Sequence, residues 1–166
     1  MRKLVLCLLL CPVVFSCASF PVPSSDEDAL IIFPVSYTEE KVVSTFGYVN
    51  VFLENDAGSY KKTVSLYASY KYKEAIVKAG KIRIVGMQFV YKDSTQKSEF
   101  QPLNIAFEIK PGQAVIFPAT LVFHFWQEGN SYWIRKEWAG LTEIKKKAVF
   151  ESLQKENNFV MWEYID

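Results

Sequence analysis

Between His124 and Trp138 the chain gathers side chains suited to molecular recognition: His124, Trp126, Trp133, Arg135 and Glu137. Indoles offer flat apolar faces with one N–H donor, arginine offers a rigid fork of donors, and a His–Glu couple adds a polar pair. Such a set suits a sugar, a peptide or a protein edge. Whether the side chains meet depends on register. Gly129-Asn130 fits a two-residue type II′ loop with glycine at its first central position. Counting outward pairs Glu128 with Ser131, Gln127 with Tyr132, Trp126 with Trp133, Phe125 with Ile134, His124 with Arg135, Phe123 with Lys136, Val122 with Glu137 and Leu121 with Trp138. Alternation then puts Leu121, Phe123, Phe125, Ile134 and Trp138 on a core face. Val122, His124, Trp126, Trp133, Arg135 and Glu137 fall on the other, which is the candidate binding face. A plainer role for that face is a cross-strand Trp pair and a His-Arg-Glu ladder that only stabilise the hairpin.

Catalytic sets are poorly supplied. His124 is the only histidine, so multi-histidine metal sites are excluded, and no G-x-S-x-G elbow accompanies it. Glycoside hydrolysis needs two carboxyls about 5–9.5 Å apart, and sequence does not choose among Asp93, Glu99, Glu108, Glu128 and Glu137. Glycine patterns for nucleotide phosphates and acidic calcium loops are missing. The expectation is therefore a chain that is not an enzyme, with no catalytic residue, metal or cofactor assigned. A hydrolase using His124 is the second alternative.

The first residues carry an address. Arg2 and Lys3 precede an apolar run from Leu4 to Phe15 that ends in small residues, which is the anatomy of a signal peptide and is shorter than the roughly 20 residues of a spanning helix. Val14-Phe15-Ser16-Cys17 resembles the lipobox of bacterial lipoproteins: an aliphatic residue, a variable one, a small one, then cysteine. That resemblance implies a diacylglycerol on the sulfur of Cys17, cleavage before it, and a lipid anchor. Cys7 and Cys11 would leave with the leader, so Cys17 is the one cysteine kept, and a thioether-linked lipid accounts for it. Ordinary cleavage after Ala18, giving a soluble secreted or periplasmic protein, is the alternative. The expected location is a bacterial envelope membrane, the outer membrane in particular, on its periplasmic side or at the cell surface.

These readings divide the chain into a signal peptide at 1–16, a lipidated cysteine with a flexible tether at 17–28, and one β-rich domain at 29–166. Pro, Ser and acid dominate Ala18 to Asp28, hence the tether. Strand-like runs rich in Val, Ile, Tyr and Phe follow at 29–35, 46–54, 63–72, 81–92, 103–110, 114–118, 120–127 and 131–138. Val64, Leu66 and Ala68 alternate with polar neighbours, as do Leu103, Ile105, Phe107 and Ile109. A helical period appears between Leu141 and Glu156, with Thr142 as cap and Leu141, Ile144, Ala148 and Leu153 near one face. The segment 159–165 fits strand or helix equally.

The fold class that results is mainly β: an antiparallel sandwich or small open barrel of about eight or nine strands with one C-terminal amphipathic helix. Glycine turns followed by paired strands look like the small transthyretin-like sandwich modules of envelope lipoproteins. The segments 78–91 and 110–123 share a strand, a glycine turn and a long strand, as an internal repeat would. Loss of Arg2 and Lys3 takes the formal charge from +1 to about −1, which gives no basis for nucleic-acid binding. Lys145, Lys146 and Lys147 read as the solvated face of the helix, with acidic lipid headgroups as the alternative contact. The expected function is a lipid-anchored, non-catalytic binding module for an envelope protein, peptide or glycan. A structural envelope protein without a small ligand is the alternative.

Overall fold

A computed structural model describes residues 20–38, 47–91, 97–156 and 158–165. The signal segment, Cys17 and Asp93 lie outside these. In chain order the elements are β1 (Asp28–Tyr37), β2 (Gly47–Asn55), β3 (Lys61–Tyr67), β4 (Tyr72–Lys78), β5 (Gly80–Tyr91), β6 (Gln101–Ile109), β7 (Gln113–Ile116), β8 (Ala119–Glu128), β9 (Ser131–Gly140), α1 (Glu143–Leu153), a 3₁₀ turn (Phe159–Met161) and β10 (Glu163–Ile165). The protein is mainly β, with two sheets, one of them curled, and one C-terminal helix. The segment 159–165 holds both a helical turn and a strand.

The larger sheet runs β10-β7-β1-β8-β9, with β4 also paired to β1, and the smaller runs β3-β2-β5-β6. The smaller sheet is antiparallel throughout, but β1–β7, β1–β8 and β10–β7 are parallel. The expected antiparallel pairing also holds for β1–β4 and β8–β9, and gives way to parallel pairing at those three contacts. β1 explains why. Its residues Ala29 to Phe33 are wholly buried, so both of its faces need cover. Ala29, Ile31, Phe33 and Val35 point into the core shared with the smaller sheet, while Leu30 and Ile32 point into a second core under α1. A continuous apolar run of this kind belongs to a strand with layers on both sides.

Two boundaries differ from the sequence reading. The run expected at 63–72 is broken by a turn in which Tyr70 N–H donates to the Tyr67 carbonyl at 3.0 Å, and β4 follows it. The segments at 78–91 and 110–123 are not a structural repeat: the first is mostly one long strand of the smaller sheet, whereas the second holds β7, a break, and the start of β8 in the larger sheet. Helix α1 is capped by Thr142, whose Oγ1 accepts from Lys145 N–H. Its buried residues are Val149 and Leu153, and Ile144 is 84% exposed. The apolar stripe is therefore turned away from Ile144 and Ala148, while Leu141, ahead of the cap, packs on the same core as Val149 and Leu153.

The expectation of an unpacked tether through Asp28 does not hold for residues 20–28. Phe20 is buried and meets Phe159 edge-on at 5.6 Å between ring centroids. Asn158 Nδ2 donates to the Phe20 carbonyl, and Trp162 Nε1 donates to the Pro21 carbonyl at 2.9 Å. Asp28 then closes a tight corner. Its Oδ2 accepts from Ser24 N–H and Oγ at 2.7 Å and from Ser25 N–H at 2.9 Å, while Oδ1 accepts from Ser25 Oγ and from Lys78 Nζ at 3.2 Å. Burial alone would raise this carboxyl's pKa, but the hydrogen bonds from Ser24, Ser25 and Lys78 outweigh it and hold the group well below the usual carboxylate range.

Asp28→Asn is accordingly expected to lower stability by about 2–3 kcal/mol at neutral pH, as for the loss of hydrogen bonds to a charged group. Because the folded pKa lies below the unfolded one, the carboxylate's contribution is complete above about pH 4 and drains as pH falls below it. Urea midpoints at pH 7 and pH 3 check this: the wild type is expected to lose more than the variant, and an equal loss would acquit the carboxylate.

Candidate functional site

The β8–β9 hairpin has the register read from its turn. Glu128 faces Ser131, Trp126 faces Trp133, His124 faces Arg135 and Leu121 faces Trp138, with every intervening pair in place. Gly129 has φ of +59°, and no non-glycine residue among those described has positive φ. That combination is a type II′ turn, whose first central position favours glycine. The register follows from it, since a slip of one residue would send Phe123 and Phe125 to the solvent face.

The two faces separate as alternation requires. Leu121, Phe123 and Phe125 are buried in the main core, with Ile134 and Trp138 packed against it. On the other face, burial fades along the strand. Thr120 and Val122 are buried at its base, His124 is part-exposed, and Trp126 and Trp133 stand 38% and 51% exposed near the turn. Val122 is thus removed from the accessible face. His124 Nε2 lies 3.0 Å from Glu137 Oε1, and Arg135 Nε lies 3.7 Å from Glu137 Oε2. Trp126 Nε1 donates to Glu128 Oε1 at 3.2 Å. His124, Glu137 and Arg135 therefore form one run of polar contacts beside the exposed indoles.

Among the described residues Glu137 is the one side-chain partner recorded for His124. A carboxylate can orient an imidazole, but no hydroxyl nucleophile stands within hydrogen-bond reach of it there. The C-terminal segment does not cover the hairpin. It ends in β10, at the edge of the larger sheet opposite β9.

Sequence reasoning missed Lys136. It shares the core face of β9, and its Nζ lies 4.9 Å from the centroid of the Phe89 ring. Burial lowers its pKa, since desolvation disfavours the charged form. The pairing of Lys136 with Phe123 was the available signal, because alternation alone puts it inward. A charge facing inward on an edge strand also deters pairing with another chain, so the middle of β9 is guarded while the aromatic tip is open.

Compared with known proteins, the chain matches no family model, and no curated protein matches it.

Because Trp126 and Trp133 are exposed, replacing both by alanine is expected to cost about 1 kcal/mol or less, the scale of one cross-strand pair. Phe123→Ala, which empties a fully buried site, is expected to cost about 3–5 kcal/mol. Chemical denaturation of the three proteins checks this, and a large loss in the double variant would make the indoles part of the scaffold.

Proposed function

We propose that the protein is a lipid-anchored envelope lipoprotein that works as a non-catalytic binding module, docking a protein or peptide partner on the tip of the β8–β9 hairpin. One observation carries the docking reading: two tryptophans stand side by side in solvent on a register-locked hairpin, next to a largely exposed Arg135. Tryptophan and arginine are the residue types that dominate interface energetics, and a rigid strand pair presents them with little entropy left to lose. The ladder His124–Glu137–Arg135 supplies a polar border to the aromatic patch, as the rim of an interface does. Anchoring rests on the leader and on Cys17 at the end of it, since acyl chains gain roughly 0.8 kcal/mol per buried methylene.

The partner claim is tested by selecting binders from a random peptide library displayed on phage, with an array of envelope oligosaccharides run in parallel. Peptides are expected to bind the wild type and to weaken at least tenfold on Trp126→Ala plus Trp133→Ala, the consequence of losing about 1.4 kcal/mol or more. Oligosaccharide binding with the same dependence would reassign the face to glycans, and indifference to the double variant would remove it. The anchor is tested separately by labelled fatty-acid incorporation in a lipoprotein-processing host. Wild type is expected to take the label and Cys17→Ala to lose it, whereas an unlabelled wild type would defeat the anchor.

A further inference from the structure

The first described residue is already held in place. Phe20 is buried against Phe159, its carbonyl accepts from Asn158 Nδ2, and the next carbonyl, that of Pro21, accepts from Trp162 Nε1. In a chain anchored at Cys17, only Cys17, Ala18 and Ser19 then separate the lipid from the packed domain. Whatever shape they take, three residues span at most about 11 Å. A lipidated sulfur sits at the top of the acyl layer, and the headgroups above it are roughly 5–7 Å deep. Phe20 is therefore held within about 6 Å of the outer edge of the headgroups. The domain cannot stand clear of the membrane, and the surface around Phe20 must meet it.

The side chains exposed there are apolar. Phe159 to Met161 form the 3₁₀ turn, in which Met161 N–H donates to the Asn158 carbonyl and Trp162 N–H to the Phe159 carbonyl. Phe159 and Trp162 are buried and hold Phe20 and Pro21. Val160 and Met161, between them, are 87% and 55% exposed, and Val22 is exposed next to Pro21. Single exposed apolar residues are ordinary, but these three gather where a three-residue tether enters the domain. The exposed charges that flank the turn in sequence, Lys155 and Glu163, have opposite signs, so charge does not select the partner. Aliphatic side chains without an aromatic or arginine anchor also lack what dominates a protein interface. A hydrocarbon boundary takes them without demanding a matching shape.

We propose that Val22, Val160 and Met161 are the bilayer-contact surface of the domain, set into the headgroup–acyl boundary of the membrane that holds Cys17. The proposal rests on the lipid anchor and adds to it a fixed seat for the domain. Such a surface needs little affinity of its own, because the anchor keeps it at high effective concentration. The seat also sets what faces away. Pairing of β1 with β8 ends at Tyr37 opposite Phe123, so the hairpin tip runs on past the end of β1, whereas the 3₁₀ turn packs on the core under Leu30 and Ile32 in its first half.

In the anchored protein Cys7 and Cys11 are gone with the leader and the sulfur of Cys17 carries lipid, so an added cysteine is the one free thiol. Full chains bearing Val160→Cys or Ser131→Cys are made in the lipoprotein-processing host and checked for incorporated labelled fatty acid. They are then coupled to an environment-sensitive fluorophore and reconstituted into vesicles of phosphatidylethanolamine and phosphatidylglycerol, with or without a lipid carrying a doxyl quencher near the top of its acyl chain. Position 160 is expected to shift to the blue and to lose about half or more of its emission to the quencher, as for a side chain roughly 5–10 Å into the boundary. Position 131, at the hairpin tip, is expected to do neither. Quenching read from Val22→Cys is expected to fall to the level of position 131 when Val160→Glu and Met161→Glu are added, with the urea midpoint unchanged because both side chains are exposed. Label uptake with position 160 quenched no more than position 131 overturns the seat and leaves the anchor standing, as does position 22 quenched alike with and without the glutamates. Absence of label overturns the anchor and the seat together, so the fatty-acid label distinguishes the two failures.

Discussion

Burial of β1 on both faces is the constraint from which the rest of this architecture follows. A strand whose successive residues Ala29 to Phe33 are all buried cannot sit in a sheet with one wet side. Alternation sends Ile31 and Phe33 one way and Leu30 and Ile32 the other, so two separate apolar layers must form. The smaller sheet supplies one of them. The other is built from α1, Phe20, Phe159 and Trp162, elements drawn from both ends of the described chain. These termini are thereby tied to each other, which explains why the segment before Asp28 is ordered by hydrogen bonds to Asn158 and Trp162 rather than left as a tether.

How much of this was legible in the sequence depends on how local the deciding contact is. The β8–β9 register was readable residue by residue because a two-residue turn leaves one way to pair the strands, and aromatic alternation agrees with it. The parallel pairings of β1 with β7 and β8 were not, since they join segments separated by about half of the chain and no turn specifies them. The apolar run at 29–35 did hold the information that both faces are covered. What covers them was out of reach, because any amphipathic element can do so.

The errors have local causes. The turn between β3 and β4 is made by Ala68, Ser69, Tyr70 and Lys71, without glycine or proline, so it was invisible to a search for turn residues. Propensity instead favoured a continuous strand through Tyr70 and Tyr72. The helix stripe was misplaced at Ile144 and Ala148, which are exposed, whereas Leu141 and Leu153 both meet the second core. Starting from Glu143, the spacing of Lys146, Val149, Phe150 and Leu153 describes the inward side, and the lysine among them conceals it. Pro21, Ser24, Ser25 and Asp28 looked like linker composition, whereas Ser and Asp together make a corner whenever backbone donors come within reach of the carboxylate.

The same distinction separates the two candidate surfaces. The hairpin tip was visible in advance because every residue on it belongs to one hairpin, and face assignment needs only alternation. The surface at Val22, Val160 and Met161 joins the two ends of the described chain, which meet only because β1 draws its cover from both. Thr120 makes the dependence concrete. On sequence it is an ordinary polar residue at the head of a strand, on the face that carries His124 and Trp126 farther along. Its burial is imposed by the helix that covers the β1 side of the sheet, and the same helix stops short of the hairpin tip. One strand face therefore changes character along its length, from a covered base at Thr120 and Val122 to an open end with exposed indoles. Where α1 ends its cover decides how exposed each residue of that face is left.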